Sequence, residues 1–133
     1  MPKHTGQCLC GAIKFEITGE MAAPHACHCS QCVRQTGHFN ASTQVKRSEF
    51  KFLEDRGLKW YKSSDFAQRG FCSECGTAIF WDDGGDMVNF SVGSLDQPTG
   101  LKIVSHIFVD EKPDYYDLED DLPKYASYDQ PID

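Results

Sequence analysis

Seven cysteines gathered into short clusters constrain this chain more than any other feature. They stand at Cys8 and Cys10, at Cys27, Cys29 and Cys32, and at Cys72 and Cys75. The number is odd, and the first residues, Met-Pro-Lys-His-Thr-Gly, carry no apolar export segment. A complete disulfide framework therefore fits poorly, and the expectation is a cytoplasmic protein whose clustered thiols bind metal. Short spacing lets thiolates from one tight turn reach one ion. Zinc takes four such ligands in a tetrahedron with bonds of about 2.3 Å.

The seven divide into four and three. Gly11 follows Cys10 and Gly76 follows Cys75, so each pair ends in a residue that lets the backbone turn sharply. Cys8, Cys10, Cys72 and Cys75 are read as two knuckles of one closed structural zinc site. It would tie the start of the chain to its middle. The remaining set, Cys27, Cys29 and Cys32, supplies three thiolates within six residues. Spacing alone leaves two alternatives. The site is open, with one position for substrate, or it is closed by His25 or His38 as a second structural centre. His28, between two ligands, is expected to point away from the metal. The Cys72-x-x-Cys75 pair also has a redox reading. The residues after it, Thr77-Ala78-Ile79-Phe80-Trp81, are strand formers rather than the helix that such a motif opens, which makes redox catalysis a minor alternative.

Composition excludes several classes. The 133 residues are read as a single zinc-binding domain, 1–133. No apolar run approaches the roughly 18 residues of a membrane span. Acids outnumber basic residues 20 to 13, and 110–133 alone holds nine acids and two lysines. The rest of the chain is neutral and shows no basic stripe, which argues against a nucleic-acid partner. The acidic segment 110–133 contains Tyr115, Tyr116, Leu118, Leu122 and Tyr125. These are too many apolar groups for a solvated tail, so part of it is expected to dock onto the body while its acids face water.

The pattern is mainly β, with short strands and little helix. Gly11–Thr18 alternates with Ile13, Phe15 and Ile17 on one side. Further strands are expected at 39–45, around Phe50 and Phe52, and at 58–62, 66–71, 77–81, 87–92 and 103–109. Asp82-Asp83-Gly84-Gly85-Asp86 marks a hairpin turn. Ser30–Thr36 is expected to form a short helical turn ended by Gly37. His106 falls in a strand and is read as a hydrogen-bonded structural histidine.

The chain resembles the glutathione-dependent formaldehyde-activating enzyme and centromere protein V family. The resemblance rests on Gly6-Gln7-Cys8-Leu9-Cys10-Gly11, Cys27-His28-Cys29-Ser30-Gln31-Cys32, Arg69-Gly70-Phe71-Cys72-Ser73-Glu74-Cys75-Gly76-Thr77, and Gly93-Ser94-Leu95-Asp96 with His106-Ile107-Phe108. It implies a β-tent-like zinc fold and two zinc ions per chain, one structural on Cys8, Cys10, Cys72 and Cys75, one catalytic on Cys27, Cys29 and Cys32. It also implies a carbon–sulfur lyase whose partners are glutathione or a similar thiol and formaldehyde or another small aldehyde. That chemistry is physically reasonable. A free thiol has a pKa near 8.5, and a bound cation lowers it and orients the sulfur. Arg34 is a candidate partner for a substrate carboxylate, because guanidinium binds carboxylates through two parallel hydrogen bonds. His38 is a candidate proton donor. The competing expectation is a protein-interaction module with two structural zinc sites and no catalysis.

Overall fold

The computed structural model describes residues 3–127. In chain order the elements are β1 (His4–Gln7), β2 (Lys14–Ile17), β3 (His25–Cys27), α1 (Ser30–Thr36), β4 (Asn40–Lys46), β5 (Phe50–Glu54), β6 (Leu58–Lys62), β7 (Gln68–Cys72), β8 (Ala78–Asp82), β9 (Met87–Ser91) and β10 (Ser105–Ile107). The chain is mostly strand with little helix, and its sheets are open rather than closed into a barrel. No helix among the described residues is long and apolar enough to cross a membrane. Two compact units emerge. One contains the chain up to Ala22 together with Thr43–Gly100, the other Ala23–Ser42 and the chain from Leu101 on.

In the first unit, β1, β2 and β5 form an antiparallel sheet, and β6 to β9 form a meander in the order β9-β8-β7-β6. The alternation of β2 sets its core. Phe15 and Ile17 are fully buried while Lys14 is exposed. Phe15 stacks on Phe50 at 5.1 Å between ring centroids and meets Phe80 and Phe90 edge-on at 5.8 and 5.6 Å. Phe52 and Trp60 extend the cluster against Phe80. Aromatic pairs at such angles contribute beyond the area they bury.

In the second unit, β3 pairs antiparallel with the start of β4, His25 opposite Ser42 and Cys27 opposite Asn40. β10 lies parallel to β3, with His106 opposite Ala26 and Ile107 opposite Cys27. α1 occupies the connection from β3 to β4. Gly37 ends it in a left-handed conformation at φ 85°, its N–H donating to the Val33 carbonyl. The segment after β10 hydrogen-bonds to it: the His106 N–H donates to the Pro123 carbonyl, and the Tyr125 N–H donates to the His106 carbonyl.

Several strands are shorter than the pattern predicts. The 11–18 strand begins only at Lys14, because Cys8 to Ile13 is spent on a hydrogen-bonded turn. The 103–109 strand is reduced to Ser105–Ile107. β1 goes unread in the sequence, since His-Thr-Gly-Gln carries no apolar alternation. Residues 128–133 of the acidic segment lie outside the described residues.

Candidate metal centres

Two knuckles of the same construction meet in the first unit. Cys8 follows β1, and its N–H donates to the Ile13 carbonyl while the Gly11 N–H donates back to the Cys8 carbonyl. Cys72 ends β7, and its N–H donates to the Thr77 carbonyl while the Gly76 N–H donates back to the Cys72 carbonyl. Gly11 and Gly76 sit at φ 86° and 82°, a region costly for any residue with a Cβ. The turns aim backbone N–H groups at sulfur: Ile13 donates to Cys8 Sγ at 3.3 Å, and Glu74 and Cys75 donate to Cys72 Sγ at 3.4 Å. The Leu9 N–H donates to the Thr77 hydroxyl, joining one knuckle to the other.

The four sulfurs lie within 4.8 Å of one another. A zinc tetrahedron with bonds of about 2.3 Å has sulfur–sulfur edges of about 3.8 Å; here Cys8 Sγ and Cys10 Sγ are 3.8 Å apart, and Cys10 Sγ and Cys72 Sγ 3.7 Å. These separations are far beyond the roughly 2.0 Å of a disulfide bond. Proton affinities in the cluster are split widely. The Thr77 hydroxyl holds Cys75 down to about 5, whereas Cys10, despite the Ala12 N–H that favours its thiolate, is pushed up to about 12 by desolvation and its three neighbours. Four thiols this close cannot all ionise on their own, and a divalent cation removes the conflict. The site therefore fits a metal ion.

Gly57, which sequence reasoning did not single out, fixes the depth of this site. Its N–H donates to the Ala12 carbonyl, and its carbonyl accepts from the Ser73 N–H. A Cβ there would meet Ala12 Cβ at 2.7 Å and Cys72 Sγ at 2.8 Å. Only a glycine lets this strand connection pass so close to a ligand sulfur.

The second unit holds the other cluster. Cys27 ends β3, Cys29 caps α1, and Cys32 lies in its first turn. The Cys32 N–H donates to Cys29 Sγ at 3.4 Å. Their three sulfurs also lie within 4.8 Å of one another. Cys27 and Cys32 are buried and Cys29 is half-buried, and Ile107, Phe108 and Tyr125 pack around them. The Cys27 thiol is raised strongly, by its hydrogen bonds with Cys29 and Cys32 and then by burial. A cation would reverse that sign here too. Among the described residues no histidine or carboxylate joins this group.

Behind the turn runs a line of polar side chains. His28 is fully buried, its Nδ1 2.6 Å from the Tyr116 hydroxyl and its Nε2 2.9 Å from His106 Nδ1. His106 Nε2 lies 2.9 Å from Asp120 Oδ2. Burial, and then the neighbouring charges of His106, His38 and Lys112, lower His28 to about 4, so its imidazole is neutral at neutral pH. His28 turns both ring nitrogens toward these partners. His25 Nδ1 hydrogen-bonds the Ser105 hydroxyl. His38 is exposed, its Nδ1 2.6 Å from the Tyr115 hydroxyl and its ring edge-on to Tyr116 at 4.6 Å. Arg34 lies in the last turn of α1 and is exposed. Sequence reasoning did not assemble His28, His106, Tyr116 and Asp120. Only the parallel pairing of β10 with β3 brings the two histidines together.

A profile of the glutathione-dependent formaldehyde-activating enzyme family matches residues 3–111. An uncharacterised lyase of Schizosaccharomyces pombe is 29% identical over 121 residues, covering 89% of this chain and 87% of that protein. A Podospora anserina protein provisionally named a glutathione-dependent formaldehyde-activating enzyme is 35% identical over 83 residues. That match covers 59% of this chain and only 39% of the relative. Among solved structures, a Rhodobacter sphaeroides protein is similar in fold, with a TM-score of 0.58, 24% identity, and coverage of 72% of this chain and 91% of that one.

Proposed function

The chain belongs to the glutathione-dependent formaldehyde-activating enzyme family, and from that premise we propose that it is a zinc-dependent carbon–sulfur lyase. Its substrates are adducts of glutathione, or a related thiol, with formaldehyde or another small aldehyde. One observation carries the reading. Three thiols converge within 4.8 Å, and among the described residues no fourth protein ligand joins them. An incomplete ligand set supports a position kept for substrate, whereas closed sets stabilise folds. The complete set of Cys8, Cys10, Cys72 and Cys75 is assigned the structural role, giving two zinc ions per chain. The same membership supports the tent-like arrangement and the single zinc-binding domain expected from the sequence.

A zinc ion on Cys27, Cys29 and Cys32 would supply a Lewis acid that lowers the substrate thiol's pKa and orients its sulfur. The chain's own residues do the rest. Buried Cys27 and Cys32 hold the ligand set against Ile107, away from water, and half-buried Cys29 marks the side open to substrate. Arg34, exposed on α1, is assigned a carboxylate of the thiol substrate. His38, with its Nδ1 against Tyr115, is assigned a hydrogen bond to the substrate's oxygen. The partners are small molecules in the cytoplasm, with no nucleic acid or membrane surface. The test is a panel of thiols and small aldehydes, followed by turnover with zinc-loaded wild type and Cys29→Ser. Turnover confined to the wild type is expected; equal background rates for both proteins across the panel would contradict the proposal.

A further inference from the structure

The hydrogen bonds at the end of β10 leave one residue over. His106 and Lys124 face each other in a parallel bridge. The His106 N–H donates to the Pro123 carbonyl, and the Tyr125 N–H donates to the His106 carbonyl. In an evenly spaced parallel ladder the next donor to the Tyr125 carbonyl would be the N–H of Phe108. Here it is the N–H of Val109, at 3.1 Å. One residue has been inserted, and Phe108 takes up the excess with a left-handed backbone, φ 57° and ψ 38°. It is the only non-glycine residue at positive φ among the described residues. A bulge that needs this conformation ordinarily uses glycine, because a bulky side chain is out of place there.

The bulge makes sense through what it aims. Side chains alternate along a strand, so an uninterrupted β10 would put Phe108 on the face of His106. The bulge turns its ring to the buried cluster of Cys27, Cys32 and Ile107, against which it packs. The turn is held on both sides. The His28 N–H donates to the Ile107 carbonyl, and the Glu111 N–H donates to the Phe108 carbonyl. The Glu111 carboxylate accepts in turn from the Ser30 N–H at the start of α1. A strained residue persists only where its surroundings over-determine it, and such residues gather at functional sites. Glycine would remove the strain, so what phenylalanine adds is its ring. Cys29, Phe108 and Tyr125 are the half-buried groups packed on the cluster. The two rings stand as an apolar rim beside Cys29.

We propose that Phe108 is a specificity-determining residue of the three-cysteine turn, its ring setting how large an aldehyde the thiol adduct can carry there. A rigid ring held by a bulge cannot retreat from a longer carbon chain, whereas a hydrogen in place of that chain meets no wall. The size limit rests on the enzymatic reading above; the strained placement of the ring does not.

The experiment compares zinc-loaded wild type with Phe108→Gly, Phe108→Ala and Phe108→Leu. Urea midpoints report the backbone. Alanine normally outlasts glycine, but at φ 57° the order reverses, and Phe108→Gly is expected to have the higher midpoint. Turnover of formaldehyde, acetaldehyde and butyraldehyde with glutathione reports the size limit. The preference in kcat/KM for formaldehyde over butyraldehyde is expected to fall about tenfold or more in Phe108→Gly and Phe108→Ala, as is usual when a hydrophobic pocket gains room for methylene groups. Formaldehyde turnover is retained. Phe108→Leu, which keeps an apolar side chain of nearly the same bulk, falls between them and wild type, and decides the matter if the two smaller variants do not fold. A higher midpoint for Phe108→Ala than for Phe108→Gly overturns the strained placement. An unchanged preference, or an equal loss with all three aldehydes, overturns the size limit and leaves the ring a packing group. A wild type with the expected order of midpoints among its variants and no turnover of any aldehyde overturns the enzymatic reading and the size limit with it, and leaves the placement standing.

Discussion

Gly57→Ala tests how tightly the four-cysteine centre is built. The added Cβ would lie 2.7 Å from Ala12 Cβ and 2.8 Å from Cys72 Sγ. Carbon atoms in good contact sit about 3.5–4.0 Å apart, so the clash is roughly 1 Å deep. Neither side yields easily, because hydrogen bonds of 3.1 Å to Ala12 and 2.7 Å from Ser73 pin the backbone of Gly57. Overpacking of this kind costs about 1–3 kcal/mol. Gly57 is not among the glycines at positive φ, so alanine is free of backbone strain and recovers about 0.4–1 kcal/mol of unfolded-state entropy. The net expectation is a loss of about 1–2 kcal/mol, read as a lower urea midpoint with unchanged slope. The lost zinc should come from the four-cysteine centre. Gly93→Ala is the control, since a Cβ there meets nothing within 4 Å and should leave the midpoint where it is or raise it. A Gly57→Ala protein as stable as wild type, with its full zinc content, would refute the reasoning.

Cys75→Ser should cut soluble yield and unfolding temperature sharply, because a closed metal site contributes folding free energy directly. Cys29→Ser should keep most of the fold, since serine can cap α1 where Cys29 Sγ accepts from the Cys32 N–H, while zinc and turnover at that site are lost; equal collapse of the two variants would favour two structural centres. Phe15→Ala removes a fully buried ring held by Phe50, Phe80 and Phe90 and should cost about 3–5 kcal/mol in urea unfolding. Truncation after Asp110 removes the Pro123 carbonyl to which His106 donates, so the His106 amide should lose its hydrogen-exchange protection; protection equal to wild type would show that this contact does not form.

Local chemistry was legible in the sequence, and long-range pairing was not. The cysteine spacings and the glycines after them pointed to two clusters, and the sulfurs gather in those sets. The alternation of Phe15 and Ile17 marked a core strand, and Gly37 marked the end of α1. Gly57 was not singled out, because nothing local says that a cysteine sulfur will lie where its Cβ would be. His28 and His106 are 78 residues apart; the first was read only as pointing away from the metal and the second as a hydrogen-bonded structural histidine. Their contact depends on β10 joining β3 in parallel, a pairing that three-residue strands do not announce. The acids of the last segment were expected to face water. Asp120 does so in part and also accepts from His106, a role that depends on the return of the chain along β10.

The central claim is that the three-cysteine turn catalyses exchange between a free thiol and its aldehyde adduct. It is tested most directly by carbon-13 exchange spectroscopy on labelled formaldehyde with glutathione, without and with zinc-loaded protein. The account predicts that wild type speeds exchange between free formaldehyde and the glutathione adduct in proportion to protein concentration, and that Cys29→Ser does not. An exchange rate identical with and without the wild-type protein would contradict it.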